Sequence, residues 1–345
     1  MRALILLFSL FVSCSSIAIE PLKEGEFLGA KVVDEVPNWF KASFMDFSED
    51  LEEATDNNKH VMIYFHQNSC PYCAKLVEDN FHNASLVAKL QKDFDVIETN
   101  MWGDRDLTDW QGRELTEKEF SALMKVQFTP TLVFLNSKGD SVLRLNGYQS
   151  VEKMHKVLDY VATKKYLNQS FSSYTNNLKK DKTGSLNKNS LFGTPPHMLS
   201  RNKTLPAQNY LAVFFEEPNC QECNTFHKTL MQLKQTKALL KTMQVVQLNV
   251  LSETKIITPS GKRTTAKKWY EDLKLTYKPA IVFFDKQGKE IIRKDAFFKA
   301  YHFHGIMTYV TSGEYKHQPN FQRYLEDKSD KLRAQGVSVT VDIWK

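Results

Sequence analysis

Two unbroken apolar runs, Val61 to Phe65 and Tyr210 to Phe215, set the pattern of this chain. Each is short and rich in aromatic or β-branched residues, which predicts a buried strand rather than a helix. A proline-led apolar run follows in each half, Thr129-Pro130-Thr131-Leu132-Val133-Phe134 and Lys278-Pro279-Ala280-Ile281-Val282-Phe283. In the first half the pattern fills in around these anchors. Asp46 ahead of Glu49 to Ala54 predicts a capped helix, and Leu76, Val77 and Phe81 carry helical spacing. Asp95 to Thr99 reads as a second strand, and the polar, glycine-containing Met101 to Leu115 as a hairpin or loop. Thr116 with Glu119 three residues on is a capping box opening a helix to Lys125. Asn136 to Gly139 is a turn, Ser141 to Leu145 a strand, and Val151 to about Leu167 a closing helix. Ahead of all this, residues 19 to about 58 form an amphipathic lead-in whose Trp39, Phe40, Phe44 and Phe47 are expected to pack on the first domain.

The halves repeat one another. Cys70-Pro71-Tyr72-Cys73 stands five residues after the first run, and Cys220-Gln221-Glu222-Cys223 follows the second, an offset of 150. The proline-led runs recur at 149, as do Gly112 and Gly139, which return as Gly261 and Gly288. So regular an offset implies two copies of one fold, in keeping with a length of 345 residues. The domains expected are 19–167 and 210–345, the latter ending in a helix–strand extension: Phe321, Tyr324, Leu325 and Leu332 form a helical stripe, and Val337 to Trp344 alternates like a strand. Residues 168–209, rich in Asn, Lys, Ser and Pro, have the composition of a linker, with Leu191-Phe192 and Met198-Leu199 able to dock.

The cysteines carry the chemistry. A strand, a short turn and a CxxC opening a helix place the first sulfur where unpaired N–H groups and the positive dipole end favour a thiolate. Pro71 suits the first helical turn, and the spacing sets Cys73 one turn inward, able to resolve a mixed disulfide. Glu222 inside the second motif, with Glu216 and Glu217 just before it, predicts a Cys220 that stays protonated to higher pH and a less oxidising pair. Electrons would then run from the second pair to the first, provided the linker lets them meet; a second site active by itself and a degenerate one are the other readings. One structural zinc held by all four cysteines is a poor alternative, because each pair lies in its own strand–helix unit. His302 and His304 come with no acid or cysteine pattern and read as ordinary surface or core residues.

Export fits the rest. Arg2 precedes the apolar run Ala3 to Val12, too short to span a bilayer, and Ser16-Ile17-Ala18 predicts a signal peptide of residues 1–18 cleaved before Ile19. Phe11 to Cys14 offers the alternative of a lipid anchor on Cys14. The other four of the five cysteines all sit in the CxxC pairs, so none is left for separate structural disulfides. A net charge of +6 spread over the whole chain excludes a nucleic-acid stripe.

These residues resemble the thioredoxin superfamily, and among its members the exported bacterial thioredoxins of the SoxW type. The likeness rests on the aromatic-x₄-Cys-Pro-Tyr-Cys approach, Gly112 to Thr116, the Thr129-Pro130-Thr131 strand and Gly147-Tyr148. It implies an α/β fold of two tandem thioredoxin-like domains, each a central mixed sheet flanked by helices. It further implies Cys70 as nucleophile and Cys73 as resolving thiol, with Cys220 and Cys223 in the same places. Pro130 and Pro279 would be cis-prolines facing the sulfurs, and Thr129 and Tyr72 would touch substrate. The implied activity is a periplasmic thiol–disulfide oxidoreductase that reduces protein or carrier disulfides without metal or other cofactor and draws electrons from a membrane thiol protein. A disulfide oxidase or isomerase, and a peptide- or copper-binding module with Met62 and His66 beside the thiols, stand as alternatives. One position departs from the family: the buried aspartate six residues ahead of the first cysteine is here Tyr64, and Phe214 in the second copy. That leaves His66 and Glu216 as the nearest substitutes.

Overall fold

The computed structural model describes residues 27–28, 36–68, 70–177, 184–335 and 341–342. The expected signal segment, Cys14 and most of the terminal strand lie outside them. Of that strand only β14 (Val341–Asp342) is described, paired in parallel with β1 (Phe27–Leu28).

The first domain runs α1 (Phe47–Asp56), β2 (His60–His66), α2 (Pro71–Leu76, continued by a π-helical turn at Val77–Phe81), α3 (Ala84–Asp93) and β3 (Phe94–Asn100). The hairpin β4 (Asp106–Thr108) and β5 (Glu114–Thr116), α4 (Glu117–Leu123), β6 (Thr131–Leu135), β7 (Ser141–Asn146) and α5 (Val151–Ala162) complete it. The sheet order is β3-β2-β6-β7, with β2 parallel to β3 and antiparallel to β6. After α6 (Phe171–Asn177) the second domain repeats the plan: β8 (Leu211–Glu216), α7 (Gln221–Lys228), α8 (Lys234–Leu240), β9 (Gln244–Asn249), hairpin β10 (Lys255–Ile257) and β11 (Arg263–Thr265), α9 (Ala266–Asp272), β12 (Ala280–Phe284), β13 (Glu290–Lys294) and α10 (Ala300–Ser312). Its sheet order is β13-β12-β8-β9, and α11 (Phe321–Ala334) follows. The repeat extends to the register: Val61 faces Leu135 in one sheet and Leu211 faces Phe284 in the other. It extends to single side chains too, since Arg144 Nη1 donates to Met124 O and Arg293 Nη1 to Leu273 O, both partners displaced by 149.

Local signals hold where the chain supplies its own partner. Asp46 caps α1 through Ser48 N at 2.9 Å, and Thr116 and Glu119 close their capping box. The glycine-containing loop is a hairpin, with Gly112 at φ +75° in its turn. The strand expected from Phe128 begins only at Thr131. Pro130 has no N–H for the ladder, and Phe128 leaves the sheet for the core of the second domain. In the lead-in, Trp39 and Phe40 pack against Phe81 and Phe47 is fully buried, but Phe44 is 97 % exposed. An apolar residue at that position did not have a core to reach.

The two domains are not beads on a string. Phe128 packs on Phe298 and Phe321, with ring centroids 4.9 and 5.5 Å apart. Gly147 meets Ala296 so closely that a Cβ on the glycine would lie 2.7 Å from the alanine Cβ. The contact is reciprocal. Lys153 of α5 donates to Thr276 O at 2.9 Å and lies over the Tyr277 ring. At the offset of 149 its counterpart is His302 of α10, which packs on Tyr72 and on Phe298, itself against Phe128. α10 of the second domain thus lies beside the first CxxC loop, and α5 of the first domain beside the residues that lead into Pro279. The segment read as a linker is docked as well: α6 reaches α9 through Ser173 Oγ to Glu271, Phe192 meets Phe214 edge to face, and Leu199 is 1 % exposed with its N–H on Ile257 O. Met198, beside it, is exposed. Apolar residues spaced through a polar stretch gave it a surface to bind.

Candidate active site

Strand β2 delivers the chain to Cys70, which caps α2: its Sγ accepts the Cys73 N–H at 3.1 Å, with Pro71 in the first turn. Thr129 Oγ1 donates to the same sulfur at 3.3 Å from the loop carrying the cis Thr129–Pro130 bond. Cys70 and Cys73 are joined as a disulfide, S–S 2.04 Å. Two hydrogen-bond donors and a helix start converge on one sulfur, which is what favours its anionic form. Tyr72, inside the motif, is 5 % exposed, and burial pushes its hydroxyl up to about 12. Its ring meets His302 edge-on at 5.4 Å.

His66, considered as a stand-in for the missing aspartate, is committed elsewhere. Its Nε2 lies 2.7 Å from Glu98 Oε2, and Glu98 is shared with Arg105. Met62 is fully buried in the core. Among the described residues no group of three or more His, Cys, Asp and Glu side chains is placed to hold a metal ion.

The second pair repeats the frame and changes its surroundings. Cys220 caps α7, its Sγ accepting the Cys223 N–H at 3.0 Å, and the pair is disulfide-bonded. Cis Lys278–Pro279 faces it, with Lys278 O 4.0 Å from Cys220 Sγ. The three carboxylates expected to surround Cys220 are not a free acidic cluster. Glu216 is buried with a carboxylate oxygen 2.9 Å from His227 Nε2, and Glu217 pairs with Lys278 at 2.8 Å, so each has a partner of its own away from the sulfur. Only Glu222 lies near the sulfur, at 3.9 Å. The case for a Cys220 that resists ionisation therefore rests on that one residue.

Beneath the second proline loop lies a buried amine the sequence reading missed. Lys294, 2 % exposed, donates to Pro279 O at 3.0 Å and lies between the Phe226 and Tyr277 rings. Burial pulls it down to about 7, opposed by Asp295 and Glu216 and assisted by Lys153. The signal was present in the repeat: the residue 149 earlier is Leu145, an apolar core position, so Lys294 breaks the apolar pattern there. His302 also differs from its reading. Its Nδ1 is buried without a hydrogen-bond partner, it borders the same groove as Cys70, and burial holds it neutral down to about 4.

A family model for a thioredoxin-like domain matches residues 47–162 and again 200–311, together more than half of the chain. Among solved structures, a thioredoxin-fold protein from Helicobacter pylori aligns at 22 % identity over 35 % of this chain and 81 % of its own, with a TM-score of 0.32. A thioredoxin from Thermus thermophilus aligns at 27 % identity over 35 % of this chain and 89 % of its own, TM-score 0.28. A DsbH oxidoreductase aligns at 17 % over 40 % and 96 %, TM-score 0.28. No curated protein sequence gives a match. With its two model matches covering both repeats, the chain belongs to the thioredoxin-like domain family.

Proposed function

We propose that the protein is an exported, periplasmic thiol–disulfide oxidoreductase that reduces protein or carrier disulfides at Cys70 and Cys73. The observation that carries this reading is the convergence of the Cys73 N–H and the Thr129 hydroxyl on Cys70 Sγ at the start of α2. In the reduced enzyme the Cys70 thiolate attacks one sulfur of the substrate disulfide. The mixed disulfide forms, and the departing substrate sulfur takes a proton. Cys73 then gives up its proton and attacks Cys70 Sγ, so the second substrate thiol leaves and the Cys70–Cys73 disulfide remains. Two electrons and two protons pass from the pair to the substrate. A dithiol partner at the membrane restores the reduced pair, since the compartment itself is oxidising. Thr129 and Pro130 line the approach, Tyr72 anchors the motif, and Cys220, Cys223 and Pro279 form a second exchange centre of the same plan.

The test is disulfide reduction of insulin with dithiothreitol as electron source. In a background lacking Cys220 and Cys223, Cys70→Ser abolishes turnover beyond the reagent's own rate, and Cys73→Ser accumulates mixed disulfides with substrate. If Cys73 rather than Cys70 is the thiol alkylated first in the reduced protein, the roles are wrongly assigned. Fractionation of expressing cells and the mass of the mature N-terminus check export and choose between cleavage before Ile19 and lipidation of Cys14.

A further inference from the structure

Cys70 does not sit on an open face. It is 5 % exposed, and it borders a groove of 490 Å³ with one wall in each domain. On the near side stand Gln67 and Trp102 of the first domain; on the far side stand His302 of α10 and Gln322 and Arg323 of α11. The far wall is pinned in place. The Arg323 guanidinium stacks on Trp102 at 4.1 Å, and Trp102 Nε1 is itself held by Gln67 Oε1 at 2.9 Å. At the start of α11 the Phe321 N–H donates to Gln127 Oε1 at 3.1 Å, and Phe128 fills the space between Phe298 and Phe321.

This geometry restricts what can reach the sulfur. A folded partner laid flat on the Cys70 face meets α10 and α11 before it meets the disulfide. The groove's volume falls in the range of small-ligand clefts, which in an extended chain rising about 3.3 Å per residue corresponds to a few residues. Its lining is suited to main-chain groups: Gln67, Gln322 and Thr129 offer amide and hydroxyl partners along both walls. His302 closes the groove from the second-domain side, its ring edge-on to Tyr72.

Building on the oxidoreductase reading above, we propose that the second domain is the selectivity wall of the first redox site, and that the substrate of Cys70 is an extended, unfolded polypeptide segment rather than a folded protein surface. The repeat then has a use beyond a second thiol pair: one copy carries the exchange and the other decides what enters.

The experiment uses the full-length reduced protein with Cys220 and Cys223 replaced by serine and three oxidised probes: an unstructured peptide of about a dozen residues with one disulfide, the same disulfide inside a folded domain, and glutathione disulfide. The peptide is expected to react on the order of a hundredfold faster than the folded probe and tenfold faster than glutathione disulfide, about 1.4 kcal/mol for each factor of ten. Gln322→Trp narrows the groove from the second-domain side and lowers the peptide rate at least about tenfold more than the glutathione disulfide rate. Arg323→Ala, on an exposed side chain, loosens the wall and raises the folded-probe rate. Equal rates for folded and unfolded probes, glutathione disulfide as fast as the peptide, or rate ratios unmoved by both variants would overturn the inference while leaving the redox reading intact. If a reduced Cys70–Cys73 pair reacts with none of the probes, the redox reading fails and takes this one with it.

Discussion

Replacing Lys294 by methionine puts a number on the charged environment of the second site. The first domain shows what the fold prefers at this position, since its counterpart Leu145 is apolar and fully buried. In the folded chain burial takes the amine from its ordinary 10.5 to about 7. That difference is worth about 5 kcal/mol between the two protonation states. Below pH 7 both the folded and unfolded chains carry the proton, and the folded state bears the whole cost of burying it. Above 10.5 neither carries it and the cost is gone. Between these limits the unfolded chain binds the proton and the folded chain does not, so stability rises with pH, by about 2 kcal/mol from pH 7 to 9. Asp295, Glu216 and Lys153 act on the amine in the same space and remain in the variant. Methionine also gives up the hydrogen bond to Pro279 O, a loss of about 1 kcal/mol. Lys294→Met is therefore expected to be the more stable protein near pH 7, by about 3 to 4 kcal/mol, with its advantage shrinking as pH rises. Urea midpoints of both proteins measured side by side from pH 6 to 10 provide the check. Parallel curves across pH 7 to 9 would mean that the folded chain holds Lys294 charged and solvated, and the reasoning fails.

Three further outcomes follow from the two sites. Thr129→Val removes the hydroxyl that donates to Cys70 Sγ, so the pH midpoint for Cys70 alkylation should rise by about 0.5 to 1 unit; an unmoved midpoint would show that the hydroxyl does not serve the thiolate. In a background lacking Cys70 and Cys73, Glu222→Gln should lower the alkylation midpoint of Cys220 by about half a unit, whereas Glu217→Gln, whose charge is spent on Lys278, should lower it less; equal effects would contradict the pairing. Glu216→Ala leaves the buried His227 Nε2 without its carboxylate partner and should cost about 1 to 3 kcal/mol, read from denaturant unfolding, with an unchanged midpoint counting against a structural hydrogen bond.

The sequence by itself determined what depends on neighbours along the chain. A continuous apolar run at Val61, a capping box at Thr116 and Glu119, a proline ahead of Thr131 and a cysteine followed by Pro71 are local physical facts, and the strands, helix starts and thiol pairs came out accordingly. The offsets of 149 and 150 then made the second domain legible from the first, down to Gly261 and Gly288. Tertiary structure alone decided what depends on neighbours across the fold. Glu216 and Glu217 read as acidity beside Cys220 until His227 and Lys278 were found against them. Pairing of charges is fixed by approach in space, and nothing in the spacing of Glu217 and Lys278 announces it. The same holds for Asn168 to Asn209, whose polar composition describes its exposed residues and hides the few, such as Phe192 and Leu199, that dock it. Most of all it holds for the groove over Cys70. Its far wall comes from residues some 230 to 255 positions away, brought there by Phe128 leaving its own sheet for the other domain's core. Periodicity reports which face of an element is apolar; which partner covers that face is settled only when the cores close.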